Sequence, residues 1–334
     1  MGVRPLLSWC ACATVLAAVV AAPVRADDAR AALGLFERAA SPMPPAPAEA
    51  DAVRSGGLPW DDGRADAVRT GGADGAAAGG AEGAAGAEGG GAEDLAKKLS
   101  NPVAALISIP IQFNYDEGYG PDDDGSVVRV NIQPVIPITL NCSWNLISRT
   151  IVPIISQEDM FPGDDGASGL GDILQSAFFS PKEPTAGGII WGAGPAILFP
   201  TASEDRLGGG KWAAGPTFVV LTQKCGWTVG VLANHLWSFA GDDDRADVNA
   251  TFVQPFVSYT TKDAWTFGVN TESTYDWEGK DWSVPLNFTI GKLVKLGRLP
   301  VSLTGGVRYW AESPEGGAEG VGFRFVFTIL LPKK

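Results

Sequence analysis

The stretch Trp265-Thr266-Phe267-Gly268-Val269-Asn270-Thr271-Glu272-Ser273-Thr274-Tyr275-Asp276-Trp277 alternates apolar and polar side chains and is bounded by tryptophan at both ends. Trp265, Phe267, Val269, Tyr275 and Trp277 fall on one parity, and Thr266, Gly268, Asn270, Glu272, Thr274 and Asp276 on the other. A period of two belongs to a strand, because successive side chains point to opposite faces of a sheet. One face is greasy and the other carries amide, hydroxyl and carboxylate groups. That division suits a sheet with lipid outside and water or packed polar groups inside, a transmembrane β-barrel.

Working outward from this stretch, similar segments of roughly ten to fourteen residues recur about twelve times between Asn101 and Pro332, usually with an aromatic at one or both ends. The expected strands are 103–115, 127–141, 144–156, 169–180, 188–200, 211–222, 227–239, 248–260, 265–277, 282–292, 300–310 and 320–331. The gaps between them supply an independent test. Those at 116–126, 157–168, 201–210, 240–247 and 311–319 are long and acidic, with Asp122, Asp123 and Asp124 in the first and Asp242, Asp243 and Asp244 in the fourth. The gaps that alternate with them, at 142–143, 223–226, 261–264 and 293–299, are mostly tight, and 278–281 is a short exception on the long side. Long loops on one side and short turns on the other are the asymmetry of outer-membrane barrels. The alternation holds only if 169–180 is a strand, although 172–179 also reads as a helical turn.

The aromatics sort the same way. Tyr115, Trp212, Trp237, Trp277, Trp282, Tyr309 and Trp310 lie at the loop ends, and Trp144, Trp227, Tyr259 and Trp265 at the turn ends. Two rings at two headgroup levels are what a bilayer selects. Against this reading stand Pro110, Pro134, Pro137, Pro153, Pro195, Pro216, Pro255 and Pro285, all inside expected strands. Proline cannot donate to a ladder, and a closed barrel has no free edge, so these sites must be bulges or strand breaks.

Composition bounds the rest. Residues 1–26 read as a secretory signal, with Arg4, an apolar run from Leu6 to Ala22 and small residues at Val24-Arg25-Ala26; the alternative is a retained anchor. No later run is long enough for a membrane helix. Residues 27–92, dominated by Ala, Gly, Pro and Asp, read as a disordered periplasmic arm, with one helical stretch at 29–39, and residues 93–334 as the barrel with a short leading helix at 93–99. Asp and Glu outnumber Lys and Arg by 38 to 25, for a net charge of −13, which argues against a nucleic-acid partner. The expected partners are outer-membrane lipid and lipopolysaccharide, a small-molecule solute, and the barrel-assembly machinery during biogenesis; no cofactor, metal or catalytic residue is expected.

Several blocks carry a family resemblance. They are Asn101-Pro102-Val103-Ala104-Ala105-Leu106-Ile107-Ser108-Ile109-Pro110, Asn131-Ile132-Gln133-Pro134-Val135-Ile136-Pro137, Trp144-Asn145-Leu146-Ile147-Ser148-Arg149-Thr150, Gly169-Leu170-Gly171-Asp172, Trp191-Gly192-Ala193-Gly194-Pro195 with Phe199-Pro200-Thr201, Gln254-Pro255-Phe256-Val257-Ser258-Tyr259-Thr260 and Glu272-Ser273-Thr274-Tyr275-Asp276-Trp277. In this order they resemble a bacterial family of outer-membrane transporters labelled "MetA-pathway of phenol degradation", also called "neuromedin U" by a naming accident. The resemblance spans about 93 to 332. It implies an outer-membrane barrel in a Gram-negative bacterium, prolines included, and names no substrate. The Ala/Gly-rich arm departs from the family pattern.

Twelve strands about 4.8 Å apart and tilted about 40° enclose a cylinder roughly 24 Å across at the backbone. The inward parity is expected to carry Arg129, Asn131, Gln133, Arg149, Asn270, Glu272, Asp276 and Arg308 as solute-contact candidates, together with Gln112, Asn114, Asn145, Asn287, Ser302 and Thr304. Two readings stand side by side: a selectivity lining that passes a small solute, aromatic or otherwise apolar if the family label is informative, or a salt-bridge and amide network that holds a closed structural or surface-interaction barrel shut. The 93–99 helix, with Lys97 and Lys98, is read either as a plug docked on inward carboxylates or, the blander reading, as a spacer outside the barrel. A third class, a membrane hydrolase, would use His235 with Asn234 and Ser238, but the spacing fits no such motif, and His235 is expected to face the headgroup zone beside Trp237. The aspartate loops are read as solvated rather than Ca²⁺- or Mg²⁺-binding, and Cys142 and Cys225, in turns several strands apart, as free thiols.

Overall fold

The computed structural model describes residues 91–331. The expected signal segment, the arm and the 29–39 helix lie outside the described residues. The strands are β1 (Ile107–Tyr119), β2 (Gly125–Ile132 continued by Val135–Thr139), β3 (Trp144–Glu158), β4 (Ala167–Leu170 continued by Ile173–Pro181), β5 (Ile189–Phe199), β6 (Lys211–Lys224), β7 (Trp227–Gly241), β8 (Asn249–Thr260), β9 (Trp265–Thr271 continued by Ser273–Asp276), β10 (Asp281–Leu296), β11 (Leu299–Glu312) and β12 (Val321–Leu331). Each pairs antiparallel with the next. β12 returns to β1, with Ile107 opposite Leu331 and Tyr115 opposite Phe323. The result is a closed barrel of 12 antiparallel strands without a free edge, the form in which a sheet can satisfy its backbone in lipid.

The prolines sit where the ladder is interrupted. Pro134 falls between the two segments of β2. Pro153 lies opposite the break in β4, where its carbonyl accepts the Gly171 N–H at 2.9 Å. Pro195 and Pro216 face each other across β5 and β6, so one locus absorbs both missing donors. Pro285 adjoins a register shift in β10, and its carbonyl accepts the Glu272 N–H at the break in β9. Both alternatives read from the sequence, bulges and shorter strands, are therefore used.

The outward parity is apolar and exposed: Phe113, Phe218, Phe267, Phe288, Phe323 and Phe325 all stand free on the outer face. A belt of this size has no counterpart on a soluble monomer and fits hydrocarbon contact. The aromatic rings hold with one correction. Trp310 is buried and turns inward, where its Nε1 donates to Asp116 at 2.9 Å. His235 lies beside Trp237, with ring centroids 3.9 Å apart and the planes tilted by 48°. The loops at one end are mostly long and the turns at the other mostly tight. Cys225-Gly226 links β6 to β7 with both residues at positive φ, 52° and 84°, a two-residue turn that matches strand twist. Cys142 and Cys225 are exposed and free.

A second correction concerns the start of the barrel. The first strand begins at Ile107 rather than at 103. Helix α1 (Ala92–Lys98) and residues 99–106 do not lie outside as a spacer. Ala96 and Leu99 pack with Ala264 and with the inward-facing Leu293 and Leu330, and Val103 joins the apolar cluster inside the barrel. Gly192 makes room for this segment, since a Cβ there would stand 3.0 Å from Val103 Cγ1. Lys97 pairs with Glu93 within the helix at 2.7 Å, rather than reaching only for carboxylates of the wall.

Candidate functional site: the barrel lumen

The lumen has two unlike walls. From β9 through β12 to β1 and β2 the inward parity carries polar and charged side chains. From β3 to β8 it is largely apolar: Ile147, Ile151, Leu174, Phe178, Ile190, Leu198, Val219, Leu221, Leu232, Leu236, Phe252 and Phe256 form one continuous cluster. The sequence reading anticipated the first wall and missed the second, because on β3 to β8 both parities are apolar.

Two ion-pair nodes organise the polar wall. At the first, Arg324 of β12 donates from Nη1 and Nη2 to the two Glu272 carboxylate oxygens at 2.6 and 2.7 Å, and from Nε to Asn114 Oδ1 at 2.8 Å. Glu272 reaches this position because it occupies the break in β9, opposite the register shift at Pro285. A paired fork on a carboxylate is the strongest geometry open to these groups, and burial demands it. At the second node Asp116 Oδ1 accepts from Trp310 Nε1 at 2.9 Å and forms an ion pair with Arg308, whose Nε lies 3.3 Å away without a hydrogen bond, while the guanidinium carbon of Arg308 lies 5.2 Å from the centre of the Trp310 ring.

Every inward candidate named from the sequence faces the interior, but they do not form one group. Arg149 Nη2 donates to Gln133 Oε1 at 2.8 Å. Asn287 Nδ2 donates to Asn270 Oδ1 at 2.8 Å. Asp276 sits at the loop end, where its Oδ1 accepts the Glu278 N–H at 2.9 Å, and Asn145 sits at the turn end of β3. Ser302 and Thr304 line a cavity under α1. Arg324 and Asp116, which sequence reasoning missed, are the partners that hold Glu272 and Arg308. The parity signal for Arg324 was available, since Phe323 and Phe325 flank it on the outward face.

Hydrogen-bonding capacity is left over on the polar wall. Gln112 Oε1, Asn114 Nδ2, Gln133 Nε2 and Asn287 Oδ1 are buried with no hydrogen-bond partner among the described residues. Groups of this kind are normally satisfied in a closed core. Both ends of the lumen are covered. At the turn end α1 and residues 99–106 fill the mouth, with Gln223 Nε2 donating to the Lys97 carbonyl at 3.2 Å. At the loop end Leu207, Trp310, Ala318 and Tyr119 form a small apolar lid, braced by Arg206 on Asp164 and by Arg245 on the Asp205 carbonyl at 2.7 Å. Between them, a cavity of about 50 Å³ lies under α1 beside Asn270 and Arg324, and one of about 20 Å³ between Asn101, Gln133 and Arg149. Spaces of this size hold a few water molecules and no larger solute.

Residues 127–313 match the family described as "Putative MetA-pathway of phenol degradation". The chain belongs to this family. Membership covers β2 to β11, all of the apolar wall and the β2 and β9 to β11 part of the polar one. No curated protein matches the chain in sequence. Among solved structures, the COG4313 outer membrane channel from Pseudomonas putida F1 is similar over 68% of this chain and 96% of its own, with 13% identity and a TM-score of 0.55. At that identity the likeness is one of fold, and the fold is that of a Gram-negative outer-membrane barrel. The NanC porin aligns over 67% of this chain and all of its own, with 10% identity and a TM-score of 0.43. The outer membrane phospholipase of Salmonella typhi aligns over 67% of this chain and 91% of its own, with 9% identity and a TM-score of 0.40.

Proposed function

We propose that this family member is an outer-membrane channel that passes small solutes bearing both apolar and polar surface, in contact with membrane lipid and lipopolysaccharide. The observation that carries the reading is the unspent hydrogen-bonding capacity of the polar wall facing a continuous apolar wall. A barrel sealed for structure alone would be expected to satisfy Asn114, Gln133 and Asn287 or to replace them with apolar groups. A wall that exchanges partners with water and solute needs such groups. The apolar wall supports passage of aromatic or aliphatic bodies. The conformation described is a closed one, and opening requires α1 and residues 99–106 to leave the turn-end mouth.

Among the described residues His235, Asn234 and Ser238 do not come together as a hydrolytic set. His235 faces outward and shares its Nδ1 with Thr251 Oγ1 at 2.7 Å, while Ser238 donates to Asp247 at 3.0 Å, so the two are not a nucleophile and its base. Esterase activity that survives in wild type and vanishes in His235→Ala would reverse that reading. Liposome swelling with a graded series of small phenols and sugars tests the channel: solute entry above protein-free liposomes is expected, and its absence together with absent bilayer conductance would favour the sealed structural barrel.

A further inference from the structure

We infer that the seam between the two walls, at β2 and β3, is a binding site for an amphipathic monoanion: a small carboxylate on an aromatic or aliphatic body. The inference rests on the channel reading and adds the class of solute. It begins from the mid-lumen charges. Glu272 is taken by Arg324, and Asp116 by Arg308 and Trp310. Asp172 and Asp276 lie toward the loop end and turn to backbone N–H groups, Asp172 to Thr201, Ala202 and Gly209 and Asp276 to Glu278. Among the described residues no carboxylate is left for Arg129. Its side chain is on the inward parity and 5% exposed, and it has no hydrogen-bond or ion-pair partner among the described residues. A guanidinium removed from water without a counter-charge is costly, so its position favours an anion beside it.

The groups around Arg129 are donors. Asn114 lies directly across the ladder from it, with Nδ2 unspent because Oδ1 is already engaged by Arg324. Gln133, on the same strand and parity, has Nε2 unspent because Oε1 is engaged by Arg149. A carboxylate accepts from several such donors at once, and the guanidinium adds the charge. The Arg129 guanidinium supplies one positive charge, which matches the single carboxylate of a monoanion.

The body of the solute is placed by the second wall. Ile155 is the ladder partner of Arg129 on β3. Ile147 and Ile151 flank Arg149 on the inward face of that strand, and Leu174 and Phe178 follow on β4. β8 stands six strands from β2 around the closed barrel, on the opposite wall, and brings Phe252 and Phe256 inward. A carboxylate held at Arg129 therefore leaves its hydrocarbon facing buried aliphatic and aromatic side chains. A neutral phenol would meet only the second half of this site, and an ammonium would be repelled by the first.

The test uses the full chain, folded in detergent, with benzoate, benzamide and benzylammonium as probes and titration calorimetry as the readout. Benzoate is expected to bind more tightly than either analogue. Arg129→Gln is expected to weaken benzoate by roughly tenfold to a hundredfold, the loss of one charge-assisted hydrogen bond, with benzamide unchanged. Arg129→Lys restores the charge and recovers part of the affinity, and unchanged heat-modifiable gel mobility in both variants certifies the fold. The same preparation in planar bilayers is expected to pass Cl⁻ in preference to K⁺, less so in Arg129→Gln. Equal binding of the three probes, absent benzoate binding, or an unaltered Arg129→Gln overturns the anion site even if the barrel conducts. Benzoate binding that depends on Arg129 in a barrel that passes no ions overturns the channel and leaves the site.

Discussion

The wall from β9 to β2 and the wall from β3 to β8 face each other across one lumen, and they are held by different physics. The first depends on a few directional contacts among buried charges, Glu272 with Arg324 and Asp116 with Arg308. The second depends on many small contacts within one apolar cluster. Charges removed from water tolerate no missing partner, whereas packed hydrocarbon yields by degrees. A channel for amphipathic solutes needs both: a wall rich in groups that exchange hydrogen bonds, and a wall that is mostly hydrocarbon with a few polar groups such as Asn234 and Ser258 set into it.

The comparison is broken most severely at its strongest node. Glu272→Ala leaves Arg324 buried without its carboxylate and should lower unfolding stability by about 3–5 kcal/mol, read from the urea midpoint of heat-modifiable mobility. The paired replacement Glu272→Met with Arg324→Met should recover most of that loss, because the charge and its partner leave together. A single variant as stable as wild type would mean that the node is solvated. On the other wall, Phe178→Ala should cost about 3 kcal/mol if that wall packs as a core; a loss below about 1 kcal/mol would make it a wet channel lining instead.

The plug sharpens the comparison, because it touches both walls. Leu99→Asp places a charge among Ala264, Leu293 and Leu330 and should loosen α1, so that protease cuts before residue 107 severalfold faster while the barrel stays folded. Unchanged cleavage would separate the helix from the gate. The smallest effect is outside the membrane. The loop carboxyl of Asp247 is held below its ordinary value by its contacts with Lys211 at 3.2 Å and Ser238 at 3.0 Å. A depressed carboxyl contributes above its unfolded pKa, and the contribution is lost as pH falls through the folded one. Acidification should therefore lower the amide protection factors around Ser238 and Val248 in wild type, and Asp247→Asn should remove that pH step at the neutral-pH cost of the ion pair. Identical profiles would sink the assignment.

Much of this was legible along the chain, and the part that was not has a physical reason. β9 and β10 alternate cleanly because lipid lies on one face and polar groups on the other, so Asn270, Glu272 and Asn287 were placed inward from parity alone. On β3 the neighbours Leu146 and Ile147 are both apolar, one facing out and one facing in, and alternation cannot tell them apart. That is why the apolar wall stayed hidden. The plug was hidden for a similar reason: Val103 and Ala104 are as apolar as a strand and continue into β1, and only the packing against Gly192 shows that they turn into the mouth. The pairing of Glu272 with Arg324 joins positions 52 apart in sequence and follows from barrel closure, which local periodicity does not reveal.

Single-channel conductance in planar bilayers, with the full chain beside a chain lacking residues 92–106, tests the central claim most directly. A lumen closed by α1 and lined by two walls predicts small or infrequent openings for the full chain and openings several times larger once the segment is gone. Silence from both proteins, each with the gel mobility of a folded barrel, would contradict the channel and leave a sealed barrel in its place.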